Sequence, residues 1–189
     1  QKYKMAELGA AGHYVGIPDG DMGNSEVGHN AMGAGEIVLQ RSAAVEEAMN
    51  GGAYETQTWK DIVARLAGTD KTLHFMGIFS DGNVHSNISH LIAMLKQSKK
   101  EGLKEVRVHI LLDGRDVPET SALKYVDQLE EVLAGLNDEN YHACIASGGG
   151  RMVITMDRYE ADWSMVEKGW QIHVCGEGRK FESAKEAIE

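Results

Sequence analysis

From residue 70 onward the apolar and polar positions switch between two periods. Leu73-His74-Phe75-Met76-Gly77-Ile78-Phe79 is a strand-length, mostly apolar run. Ile88, Leu91, Ile92 and Leu95 then recur at i, i+3, i+4 and i+7, the stripe of an amphipathic helix that Gly102 closes. Val106 to Leu112 predicts the second strand, Ala122, Val126, Leu129 and Leu133 the second helix, and His142 to Ala146 the third strand. A helix carrying Trp163 and Val166, a short strand around Ile172 to Cys175 and a last helix near Ser183 to Ile188 follow. Strands starting at 73, 106 and 142 leave room for one helix between neighbours, as in βαβ units. The expected fold class is α/β, with a mainly parallel sheet covered by helices on both faces.

The first seventy residues have a different texture. Gly20 to Gly35 interleaves glycines with polar residues, and two helical patterns follow: Ala43 to Met49, then Trp59, Ile62, Val63 and Leu66. Thr58, three residues before Asp61, resembles a capping box with Asp in place of Glu. The change predicts a boundary near residues 36 to 40, dividing the chain into 1–38 and 39–189.

Composition narrows the function classes. The 189 residues are 42% hydrophobic and 25% charged, which excludes a disordered or collagen-like chain. Glycine is abundant, 22 against 2 prolines, which points to constrained loops between regular elements. The net charge of −10 argues against a general nucleic-acid or membrane binder, so any bound anion must meet a local basic site. Cys144 and Cys175 lie far apart without zinc spacing; the expectation is two buried free thiols in a reducing, cytoplasmic setting. No apolar run reaches the length of a membrane span, and no signal-peptide core opens the sequence. Position 1 is not Met, so the numbering is expected to begin inside a longer chain.

In a parallel α/β sheet, ligands bind beyond the carboxyl ends of the strands. Three loops follow the main strands here: Ser80-Asp81-Gly82-Asn83-Val84-His85-Ser86, Asp113-Gly114-Arg115-Asp116, and Ser147-Gly148-Gly149-Gly150-Arg151 with Asp157-Arg158 behind it. One such Asp-Gly is commonly only a turn. Three at equivalent ends would gather His85, Arg115, Arg151 and Arg158 at one edge. Guanidinium groups bind carboxylate and phosphate through paired hydrogen bonds, so the constellation predicts a small polyanionic substrate. Ser147 to Arg151 is not a Walker loop, and nucleotide binding is not supported.

Asp19 to Gly35 holds the other dense segment. Ser25, preceded by Gly-Asn and followed by Glu-Val-Gly-His, fits the first turn of a helix, where free backbone N–H groups favour an anion or a phosphorylated side chain. A serine nucleophile needs a base or a metal, and an ordinary N-cap serine fits the same spacing. The histidines form no HxxxH or HExxH pair, so no complete metal site can be assembled from the sequence.

Taken together, Met22-Gly-Asn-Ser-Glu-Val-Gly-His29, Ser80-Asp-Gly-Asn-Val-His-Ser86, Leu112-Asp-Gly-Arg-Asp116 and Ala146-Ser-Gly-Gly-Gly-Arg-Met152 running on to Met156-Asp-Arg158 resemble the cofactor-independent (2,3-bisphosphoglycerate-independent) phosphoglycerate mutases of the alkaline phosphatase superfamily. The resemblance implies that residues 1–38 close an alkaline-phosphatase-like segment and that 39–189 form most of a phosphotransferase domain. It implies that Ser25 is the nucleophile, passing a phosphoryl group between 3-phosphoglycerate and 2-phosphoglycerate through a phosphoserine, and that it touches one of two Mn²⁺ or Mg²⁺ ions. It assigns His85, Arg115, Asp116, Arg151 and Arg158 to substrate binding, with Asp116 orienting a glycerate hydroxyl and able to act as acid or base. The family's other metal ligands, its Arg-x-x-Arg pair and its substrate-binding Lys have no counterpart here, and Glu36 stands where a basic residue is usual. The expectation is therefore an incomplete part of the enzyme that needs the rest of the phosphatase domain in cis and is inactive alone. A related phosphatase or phosphopentomutase and a non-catalytic anion-binding module are the rival classes.

Overall fold

The computed structural model describes residues 3–21, 23–157 and 159–189, without the side chains of Arg41 and Ser42. Its frame is a sheet of β1 (Thr72–Phe79), β2 (Glu105–Leu112) and β3 (His142–Gly150), all parallel and in the order β1-β2-β3. Thr72 pairs with Glu105 and Phe79 with Leu112, so β1 and β2 end level. Between β2 and β3 the register slips at Val108/His109, opposite Ala146. The middle strand is buried on both faces through Val106, Val108, His109, Ile110 and Leu111, as expected of a parallel strand flanked by others.

Helices α4 (Ile88–Lys100) and α5 (Ala122–Leu136) cross between the strands and pack on one face. Leu95, Leu129 and Leu133 meet Val106, Val108 and Tyr141 there, and burying each such side chain contributes about 1.5–3 kcal/mol. Asn87 caps α4 by accepting from the Ser89 amide at 2.9 Å, and Gly102 ends it with φ 77°. The short α7 (Ala184–Ile188) adds Ala184 and Ile188 to the same core. On the opposite face α6 (Trp163–His173) lies over β3, with Gly169 against Thr155. That face stays open over β1, where Met76 is 53% exposed.

Three expectations about secondary structure need correction. β3 does not stop at Ala146; it runs through the glycines to Gly150. A Cβ on Gly148 would stand 2.6 Å from Ile110 Cγ1, and one on Gly149 2.6 Å from Ile154 Cδ1, so glycine here permits close packing of an extended strand. No strand forms at Ile172 to Cys175. Ile172 and His173 finish α6, and the amides of Val174 and Cys175 both bond back to Trp170 O. A short apolar run alone cannot separate a strand from a helix end. Finally, α3 (Gln57–Leu66) is capped by Thr56, whose hydroxyl accepts from the Trp59 amide, while Asp61 takes a bond from Gln57 rather than closing a box with Thr58.

Ahead of the sheet lie α1 (Ser25–Ala34) and α2 (Arg41–Gly51). Val15, Ile17 and Val27, joined by Ala31, form a small apolar cluster apart from the main core. Both cysteines are free, but Cys175, just past α6, is exposed rather than buried, and Cys144 is half-buried. Among the described residues no helix is long and apolar enough to cross a membrane.

Candidate functional site at the carboxyl edge of the sheet

Because the strands are parallel and β1 and β2 end level, Ser80 and Asp113 emerge side by side. The Ser80 hydroxyl donates to Asp113 Oδ2 at 2.5 Å and accepts from the Gly82 amide at 3.1 Å. Asp113 Oδ1 takes the amides of Arg115 and Asp116, each at 3.1 Å, and Arg151 Nη1 at 3.0 Å. The same Nη1 reaches Asp116 Oδ2 at 2.9 Å. The β3 chain is fixed to this loop by the Arg151 amide donating to Leu112 O at 3.0 Å.

These side chains are well removed from water: 7% exposed for Arg151, 1% for Asp113 and 14% for Asp116. Burial pushes the Asp113 carboxyl up. The Ser80 hydroxyl, the Asp116 and Arg115 amides and the Arg151 charge outweigh it, so the group sits below the ordinary carboxylate range and stays ionised. Among the described residues, Arg151 Nε is buried without a partner.

Of the residues singled out in the sequence, Asp116 and Arg151 are in direct contact. Arg115 extends from the same loop into solvent, its Nη1 3.8 Å from Met152 Sδ. His85 stands exposed on the β1 loop and makes no hydrogen bond among the described residues. Arg158 lies outside the described residues, as does Met22 of the serine segment. Asp81, on the same loop as His85, is held below the usual carboxylate range chiefly by the Tyr125 hydroxyl, with Lys124 at 2.9 Å.

Ser25 opens α1. Asn24 is the N-cap, accepting from the Val27 amide at 3.0 Å, so Ser25 is the first helical residue and not the cap. It is exposed, and its hydroxyl makes no hydrogen bond among the described residues. His29 Nδ1 bonds to the Ser25 carbonyl instead. The segment is tied to the sheet edge by Asn83 donating to Asp21. The contributions of Asp113, Ser80 and Asn83 were missed in the sequence. The first two were accessible once the ends of β1 and β2 were aligned; the third depends on a long-range contact that no local pattern carries.

Residues 45–189 match the family described as BPG-independent PGAM N-terminus (iPGM_N). The chain belongs to this family. A probable 2,3-bisphosphoglycerate-independent phosphoglycerate mutase of Leptospira interrogans is 52% identical across 100% of the chain and 35% of its own length. The 2,3-bisphosphoglycerate-independent phosphoglycerate mutase of Trypanosoma brucei brucei is 51% identical over 95% of the chain and 33% of its own length. A crystal structure of Leishmania mexicana phosphoglycerate mutase at low cobalt concentration superposes with a TM-score of 0.89 at 48% identity, covering 96% of the chain and 33% of that protein. The chain thus spans about a third of the length of these mutases.

For this member of the iPGM_N family, two-metal chemistry at Ser25 is testable against the donors present. Among the described residues no group of three or more His, Cys, Asp or Glu is close enough to hold a metal ion. Ser25 alone offers one oxygen, so these residues do not fit a two-metal centre.

Proposed function

We propose that this sequence is the part of a 2,3-bisphosphoglycerate-independent phosphoglycerate mutase that carries the nucleophile and most of the phosphoglycerate-binding groups. The observation that carries the reading is 52% identity over the whole chain to a protein of that name. The placement of the side chains supports it chemically: Arg151 contacts Asp116 at the strand ends, Arg115 stands exposed on the same loop as Asp116, and guanidinium groups suit the oxyanions of a small acid.

In the proposed reaction His85, Arg115, Arg151 and Arg158 hold the carboxylate and phosphate of 3-phosphoglycerate, and Asp116 orients the free hydroxyl. The Ser25 oxygen forms a bond to phosphorus as the bond to the glycerate oxygen breaks, and the serine proton is returned to the departing alkoxide. The second half-reaction reverses these steps onto the neighbouring hydroxyl, giving 2-phosphoglycerate. The first turn of α1 favours the phosphoserine through its dipole. Residues 1–38 are assigned to the phosphatase-like segment and 39–189 to the transferase domain. Two Mn²⁺ or Mg²⁺ ions, one of them touched by Ser25 and the remaining ligands from outside this sequence, and a cytoplasmic setting complete the proposal; no 2,3-bisphosphoglycerate is required.

Mass spectrometry of a relatives'-length protein carrying this sequence, quenched during turnover of 3-phosphoglycerate, tests the intermediate. Phosphate on Ser25 is expected. Turnover with phosphate only on another residue contradicts the assignment.

A further inference from the structure

Arg151 shows an asymmetry that its proposed role in substrate binding does not account for. One nitrogen, Nη1, meets two carboxylates, Asp113 Oδ1 at 3.0 Å and Asp116 Oδ2 at 2.9 Å. The opposite side of the guanidinium is unspent: Nε is buried without a partner, and Nη2 makes no hydrogen bond among the described residues. Leaving a charged N–H buried and unpaired carries its full desolvation penalty, so an unpaired edge calls for a ligand. Nε–H and Nη2–H point the same way, with the spacing of two oxygens of a carboxylate or phosphate.

The two carboxylates differ in how they are held. Asp113 is fixed by the Ser80 hydroxyl and by the amides of Arg115 and Asp116 in addition to Arg151. The Asp116 carboxylate has Arg151 as its hydrogen-bond partner among the described residues and is the more exposed of the two. Asp113 is thus a rigid anchor, whereas Asp116 can exchange its contact for a substrate hydroxyl.

We propose that Asp113 is a positioning residue, which grips Arg151 through Nη1 and so keeps the Nε–Nη2 edge available for an oxyanion of the substrate. The inference rests on the phosphoglycerate reading of this site and deepens it. Without the Asp113 charge, Arg151 is free to turn its paired donors onto Asp116, which closes the site to an incoming anion and occupies the group that orients the hydroxyl. Ser80 acts one step further back: its single proton goes to Asp113 Oδ2, which fixes the carboxylate plane and ties the β1 loop to the β2 loop.

The test is the dissociation constant of 3-phosphoglycerate, by isothermal titration calorimetry, for a relatives'-length protein carrying this sequence. Asp113→Asn, which keeps the acceptor for the two amides but removes the charge, is expected to weaken binding about tenfold. Ser80→Ala, the milder change, should weaken it about threefold and carries the test if Asp113→Asn does not melt cooperatively. A merely structural role is excluded by the cycle with Arg151→Ala: in that background Asp113→Asn should alter the constant by less than about twofold, because nothing remains to be positioned. Unchanged binding in both single variants, or the same tenfold loss in the Arg151→Ala background, overturns the inference. If the unsubstituted protein does not bind 3-phosphoglycerate, the phosphoglycerate reading itself falls and takes the inference with it.

Discussion

His74 and His109 hydrogen-bond ring to ring across neighbouring strands, Nδ1 to Nε2 at 2.8 Å. The line continues from His109 Nδ1 to Ser147 Oγ at 2.6 Å and on to His173 Nδ1 at 2.7 Å, so one polar chain crosses all three strands and ends on α6. At its far end His173 Nε2 is buried and has no partner among the described residues. Burial, followed by the charges of His74 and His173, holds His109 below the ordinary imidazole range, and burial does the same to His173.

This arrangement makes stability depend on pH. Unfolded, these imidazoles protonate near pH ~6.5; folded, they do so only at lower pH. The unfolded state therefore binds more protons in that window, and stability, complete above about pH 6.5, is lost as pH falls toward the folded values. Urea midpoints measured between about pH 7.5 and 5.5 should fall, and His109→Gln should flatten the dependence. A midpoint constant across that range contradicts the account.

Tyr125→Phe should destabilise the protein by about 1–2 kcal/mol in urea denaturation, because the ring stays in the core while the hydroxyl that donates to Asp81 is lost. No loss would mean that water replaces the hydroxyl at Asp81.

Gly148→Ala places a methyl 2.6 Å from Ile110 Cγ1 and 3.0 Å from Ile110 O. Strand overpacking of this kind costs about 1–3 kcal/mol, and the strain falls three residues before Arg151. The variant should melt at lower temperature; one that melts with the parent would show that β3 can move outward freely.

The strands and crossing helices were legible because α4 and α5 bury one face each and β2 is buried on both, and their apolar spacing records it. The end of β3 was not, since Gly148, Gly149 and Gly150 carry no side chain to mark a strand, and their reason for being glycine is the packing of Ile110 and Ile154. Ile172 to Cys175 misled because the apolar run serves a helix end. At the site, the loops and their charged residues could be read from the sequence. That Arg151 is buried and shared between Asp113 and Asp116 could not, because pairing between the loops after β2 and β3 depends on strand register. His74, His109 and His173 escaped for the same reason: they are neighbours only across the sheet.

The 189-residue chain by itself, supplied with Mn²⁺, should not turn over 3-phosphoglycerate. Among the described residues the Ser25 hydroxyl has no hydrogen-bonded base and no metal-holding group is present. Formation of 2-phosphoglycerate by the chain alone, followed by phosphorus NMR, would sink this expectation.

The central claim, that Ser25 transfers the phosphoryl group, is tested most directly by enolase-coupled turnover of 3-phosphoglycerate in a relatives'-length protein carrying this sequence, compared with its Ser25→Ala variant. Turnover in the former and loss to background in the latter is the predicted result. Activity retained by Ser25→Ala would contradict it.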